Sequence, residues 1–198
     1  SCSVYGVSPS LLNEKSTLRP VSLYAQSKLY AERELLRSAG DHFHPVILRF
    51  GTIYGLSPRM RFDLVVNIMT AHAFSKKQIT VDGGEQWRPL LHVDDAARAC
   101  VAMLKAPHED VVGEIFNVGA TRDNFTIAAL ATLVAKQCKN TTIVSLNTVK
   151  DRRDYRVSFE KIQKRIGFKT IHTVQGGIAE IARAMRAGKL RDWADKKY

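Results

Sequence analysis

Tyr24 and Lys28 stand four residues apart in the run Ser22-Leu23-Tyr24-Ala25-Gln26-Ser27-Lys28, with Ser1 a short way upstream. On a helix, positions i and i+4 share one face. An ammonium held beside a phenol favours the phenolate and lowers the phenol pKa, which gives an acid/base that works near neutral pH. A serine hydroxyl adds a hydrogen bond to the reacting oxygen. On spacing alone the pair reads as an exposed tyrosine and lysine on a solvated helix, so the flanks carry the decision.

The flanks form an ordered set. Ser1-Cys2-Ser3-Val4-Tyr5-Gly6 comes first, then Pro20 to Lys28, then Leu48-Arg49-Phe50-Gly51-Thr52-Ile53-Tyr54-Gly55. Arg88-Pro89-Leu90-Leu91-His92-Val93-Asp94-Asp95 and Phe116-Asn117-Val118-Gly119 follow. From Ser1 to about Met185 the chain resembles the extended short-chain dehydrogenase/reductases, in particular the nucleotide-sugar epimerases and dehydratases.

That resemblance implies an α/β fold: the C-terminal part of a Rossmann-like doubly wound parallel sheet with a smaller α/β substrate-binding region. Residues 1–56 correspond to a partial dinucleotide-binding domain. Residues 57–198 are mainly a substrate-binding region, with 79–118 partly returning to the Rossmann sheet. The implied cofactor is NAD or NADP, the implied partner is a nucleotide-diphosphate sugar, and no metal is implied. Tyr24 takes the role of the acid/base that removes a sugar hydroxyl proton as hydride leaves. Lys28 lowers its pKa and binds the nicotinamide ribose, and Ser1 hydrogen-bonds the reacting oxygen. Phe50 and Gly51 pack on the nicotinamide. Ser3 and Thr52 touch the sugar, although Thr52 replaces a frequent asparagine. Arg88 and Arg153 grip the diphosphate, for which a forked guanidinium is suited; the plain alternative is a surface ion pair for Arg88 and a solvated charged segment for Arg153. His92 and Asp95 read as a strand residue and a helix cap.

Ser1, Cys2 and Ser3 also discriminate between reactions. Nucleotide-sugar 4,6-dehydratases of the resembling family usually carry Thr-Asp-Glu at these places, and the two carboxyl groups move the protons of water elimination. Without them an epimerase or reductase fits better. Cys2 reads either as an extra acid or as a buried structural thiol.

The family fingerprint G-x-x-G-x-x-G, whose glycines let a backbone approach a pyrophosphate at a helix N-terminus, does not occur here. The expectation is therefore a piece lacking most of the cofactor half and inactive by itself. A relative that binds a nucleotide-sugar without turnover is the alternative.

Net charge is +11, and the excess falls late, at Lys150, Arg152, Arg153, Arg156, Lys161, Lys164, Arg165, Lys169, Arg183, Arg186, Lys189, Arg191, Lys196 and Lys197. A basic surface attracts phosphates. Nucleic acid is the less favoured partner, because aromatics do not interleave with these cations as stacking platforms require. Three scattered cysteines without metal spacing suggest a reducing compartment, with Cys100 and Cys138 as small buried side chains. No apolar run reaches membrane length. The expectation is a cytoplasmic protein with no membrane partner, and a homodimer, because the helix at 22–39 is apolar at more positions than one buried stripe needs.

The same pass expects a strand end at 1–5, an irregular 7–20, and helices at 22–39, 62–75 from Asp63, 94–105 capped by Asp94 or Asp95, 126–139, 159–166 and 174–186. Strands are expected at 45–50, 79–81, 90–93, 114–118 and 142–146.

Overall fold

The computed structural model describes residues 1–146, 151 and 153–194. Lys150, Arg152, Lys196 and Lys197 of the basic series lie outside the described residues. Strands and helices alternate: β1 Val7–Leu12, α1 Leu23–Arg37, β2 Ile47–Phe50, β3 Thr52–Tyr54, α2 Val65–Lys76, β4 Gln78–Asp82, β5 Trp87–His92, α3 Val93–Lys105, α4 His108–Val111 and β6 Ile115–Val118. Then come β7 Asn124–Thr126, α5 Ile127–Gln137, β8 Thr142–Leu146, β9 Asp154–Val157, α6 Glu160–Ile166 and α7 Val174–Arg186.

The fold is α/β and its ladders are mostly parallel. β2 runs beside β6, from Ile47 opposite Ile115 to Phe50 opposite Val118. β5 pairs in parallel with β3 and antiparallel with β7. β4 pairs with β8 and β1 with β9, both parallel. Parallel strands must be joined by crossovers, and covering helices bury both faces. Apolar side chains from α2, α5 and α7 close over β4 and β5, with Ile79, Leu90, Leu130, Val134 and Ile178 at the centre. A second core, with Phe116, Val118, Met103 and Ile162, lies between β6, α3 and α6. A third joins Cys2, Val4 and Tyr5 to Leu29 of α1 and Tyr155 of β9.

Helix starts follow their caps. Ser22 opens α1, its hydroxyl accepting the Ala25 N–H at 3.2 Å, and Thr126 and Thr173 do the same for α5 and α7. Gly167, in the left-handed region, ends α6. Elsewhere the expected boundaries are corrected. Residues 2–5 form a buried 3₁₀ turn with Ser1 as its cap, not a strand end. The stretch expected to be irregular holds β1, whose register against β9 shifts between Val7 and Leu11, around Pro9; proline, lacking an N–H, is tolerated only at such irregular or edge positions. α2 starts at Val65, and Asp63 pairs with Arg61 instead of capping it. α3 is capped by His92, whose Nδ1 accepts the Asp94 N–H at 3.2 Å, so neither aspartate has that role. Cys100 is exposed on α3, while Cys138 is buried as expected.

Candidate active site

Tyr24 and Lys28 sit in the first two turns of α1, on one face. Tyr24 is 58% exposed, which leaves a ligand room to reach its phenol. The Lys28 ammonium lies 5.4 Å from the centre of the Tyr24 ring. The 3₁₀ turn packs against α1 and carries the two serines, whose hydroxyls are 2.9 Å apart. Arg61, paired with Asp63 at 2.6 Å, lies within electrostatic reach of the Tyr24 phenol. Its sequence position, in a connection far from the tyrosine, offers no signal for that.

Beneath this surface a buried polar chain fixes α1 on the sheet. Arg49 of β2 is 2% exposed and forks onto both carboxylate oxygens of Glu32, one turn past Lys28, with its Nε donating at 3.0 Å. Its Nη1 donates to the Tyr5 hydroxyl at 2.9 Å, and Tyr5 donates to Asn117 Oδ1 at 2.8 Å. Asn117 Nδ2 then reaches the Ser158 carbonyl. Buried charges survive when every lone pair is used in this way. Burial pushes both the Cys2 thiol and the Tyr5 phenol up to about 12. Cys2 Sγ donates to the Arg49 carbonyl at 3.1 Å. A thiol held that high is no acid for neutral-pH catalysis, so the structural reading of Cys2 is the one that holds.

Phe50 ends β2, half-buried against the core under α3. Thr52 opens β3 opposite Leu90. Gly51 between them is needed for closeness, not for an unusual backbone angle: a Cβ there would stand 3.1 Å from the Pro89 carbonyl oxygen. The C-terminal ends of parallel strands are where α/β folds hold ligands.

Arg88 and Arg153 come together elsewhere, through Asp151. Arg88 is 4% exposed; its Nη2 donates to Asp151 Oδ2 at 2.6 Å and its Nη1 to the carbonyls of Trp87 and Arg153. Arg153 forks onto the same carboxylate, with Nη2 at 2.7 Å from Oδ2 and Nε at 3.0 Å from Oδ1. Burial works against the Asp151 charge, but Arg153 and Arg88 outweigh it and hold the carboxyl well below the usual range.

A histidine cluster lies at the end of β5. His92 and His172 stack with ring centres 4.1 Å apart, and Asp94 is within reach of both. Since His92 Nδ1 accepts from a backbone N–H, its Nε2 carries the proton toward Glu180, 3.1 Å away. Ring nitrogens bind metals in the ring plane. Planes tilted by only 13° and stacked cannot both aim at one ion. Asp95 receives the backbone N–H groups of Ile171 and His172 together with Arg98, and so ties α3 to the loop before α7.

Residues 1–119 match the NAD dependent epimerase/dehydratase family. An uncharacterized UDP-glucose epimerase of Bacillus subtilis is 34% identical over 119 residues, covering 59% of this chain and 36% of the relative. A dTDP-glucose 4,6-dehydratase of Neisseria gonorrhoeae is 26% identical over 197 residues, covering 91% of this chain and 55% of the relative. Among solved structures, the UDP-glucuronic acid 4-epimerase of Bacillus cereus in complex with UDP-glucuronic acid and NAD superposes with a TM-score of 0.81 at 24% identity, over 94% of this chain and 60% of that one. The chain thus spans about a third to three fifths of the length of these proteins.

Proposed function

For a chain that belongs to the NAD dependent epimerase/dehydratase family, we propose the chemistry of a nucleotide-sugar epimerase or related oxidoreductase, in which hydride is moved reversibly at a sugar carbon. The observation that carries this reading is Tyr24: an exposed phenol on the first turn of α1, with Lys28 5.4 Å from its ring and a pair of serine hydroxyls on the adjoining turn.

The residues present fit the reactive end of a dinucleotide: an exposed phenol and ammonium on one helix face. A bound NAD or NADP supplies a hydride acceptor that can return the hydride. Tyr24 accepts the proton of the sugar hydroxyl as the carbon–hydrogen bond breaks, and donates it back when the hydride returns. Lys28 offers donors to ribose hydroxyls. Ser1 hydrogen-bonds the oxygen that becomes the carbonyl, and Ser3 and Thr52 lie toward the sugar. Phe50 and Gly51 form the wall on which the nicotinamide packs. Arg88 and Arg153 take the diphosphate of the nucleotide-sugar. Residues 1–56 are a partial dinucleotide-binding domain and 57–198 mainly the substrate region, with 79–118 partly returning to the first sheet, in keeping with the β2–β6 ladder.

Epimerisation is favoured over 4,6-dehydration by what stands at 1–3. Elimination of water needs an acid and a base there, and the chain offers two hydroxyls and a thiol whose pKa is about 12. The test is product analysis by NMR, using a longer form of the protein that carries the dinucleotide-binding half, with NAD and a panel of UDP- and dTDP-sugars. The expected result is an epimer of one of them. A 4-keto-6-deoxy product would overturn the preference, and no conversion of any sugar would overturn the reading.

A further inference from the structure

Asp151 is the least explained charge at the proposed diphosphate site. Arg88 is almost wholly buried, and a buried guanidinium requires an anion. The carboxylate that meets this need comes from a side chain that is itself 39% exposed, on a loop before β9, and it is shared with Arg153, whose side chain is 49% exposed. One carboxylate that receives the Arg153 fork and a single N–H from Arg88 Nη2 resembles the arrangement by which two arginines hold a phosphate. The Arg88 backbone is anchored in β5 against Phe125, and its Nη1 is fixed by two carbonyls, so the Nη2 it turns to Asp151 stays in place whichever anion it meets. Asp151, by contrast, is held by the two arginines and by the Arg153 N–H, which its Oδ1 accepts at 3.1 Å.

We propose that Asp151 is a resident stand-in for the ligand's phosphate: it holds the Arg88 Nη2 and the Arg153 fork in the absence of ligand and must swing out toward solvent before a nucleoside diphosphate can bind. The inference rests on the reading of Arg88 and Arg153 as diphosphate ligands. A plain structural ion pair would use the same contacts but would gain nothing for a ligand when removed. A latch lowers apparent affinity by the fraction of time it is open. It also adds a like charge beside the incoming diphosphate until it moves away.

The experiment is calorimetric titration of the protein, Asp151→Asn and Asp151→Ser with UDP at fixed salt, with uridine as the uncharged probe and thermal unfolding run alongside. The expected result is tighter binding of UDP to the neutral variants, by about ten-fold if the latch is open about a tenth of the time, with uridine binding unchanged. UDP binding of equal or lower affinity in the variants overturns the latch but leaves the diphosphate site standing. UDP binding to none of the three proteins overturns both. If neither neutral variant folds, Asp151 is a structural counter-ion and the latch is overturned.

Discussion

Asp123 shows how a single buried carboxyl sets a pH dependence. Burial pushes it up from 3.8 to about 6, against a partial pull from Arg122 3.9 Å away. A carboxyl whose folded pKa is raised binds its proton more tightly in the folded state. Its contribution is therefore present below about pH 4 and is lost as pH rises toward 6. At about 1.4 kcal/mol per unit this is worth up to ~3 kcal/mol. Asp123→Asn should remove that fall, so that denaturant midpoints for the two proteins diverge between pH 4 and 7 with the variant ahead at the upper end. Parallel curves would contradict it. Arg49→Met should act in the opposite direction at neutral pH. Leaving Glu32 buried without its partner costs ~3–5 kcal/mol, measurable as a lowered midpoint in urea. At this scale the sequence is legible where partners are one turn apart, as at Tyr24 and Lys28. Glu32 and Arg49 are 17 residues apart and Arg88 and Asp151 63, and only the folded chain brings them together.

Among the elements, α7 depends on a close approach to the central strands. A Cβ on Gly177 would lie 2.4 Å from the Tyr54 ring and 3.3 Å from His92. Tyr54 and His92 are themselves packed edge to face, both nearly fully buried, so neither can step aside. Gly177→Ala should cost ~1–3 kcal/mol through overpacking, although alanine is the better helix former in isolation. A variant as stable as the parent in thermal unfolding would show that α7 sits further from β3 than described. The long helices could be placed from sequence by their apolar period. The three- to six-residue strands β1, β3, β7 and β9 could not. Their residues, such as Asn124-Phe125-Thr126, carry no alternation, and their strand geometry comes from the neighbour they pair with. Helix α3 misled for a related reason, since a histidine ring took the capping place that two adjacent aspartates advertised.

For the whole molecule the open question of surface is α1. Only Ala25, Leu29 and Glu32 of this helix are buried, while Leu23 is 84% and Tyr30 67% exposed, one above the other. Such a stripe on a helix beside the reacting groups is suited to a second copy of the chain. Light scattering should find a species near twice 22.2 kDa, reduced toward the monomer by Leu23→Glu with Tyr30→Glu; a monomer at all concentrations would contradict this. No described helix is long and apolar enough to cross a membrane. The central claim concerns Tyr24, and the most direct test is steady-state turnover of Tyr24→Phe in the active protein with the nucleotide-sugar it converts. Loss of a general acid/base predicts a fall in kcat of ~10²–10⁴-fold, with the thermal midpoint and the affinity for UDP unchanged. Turnover within a few-fold of the parent would contradict the account.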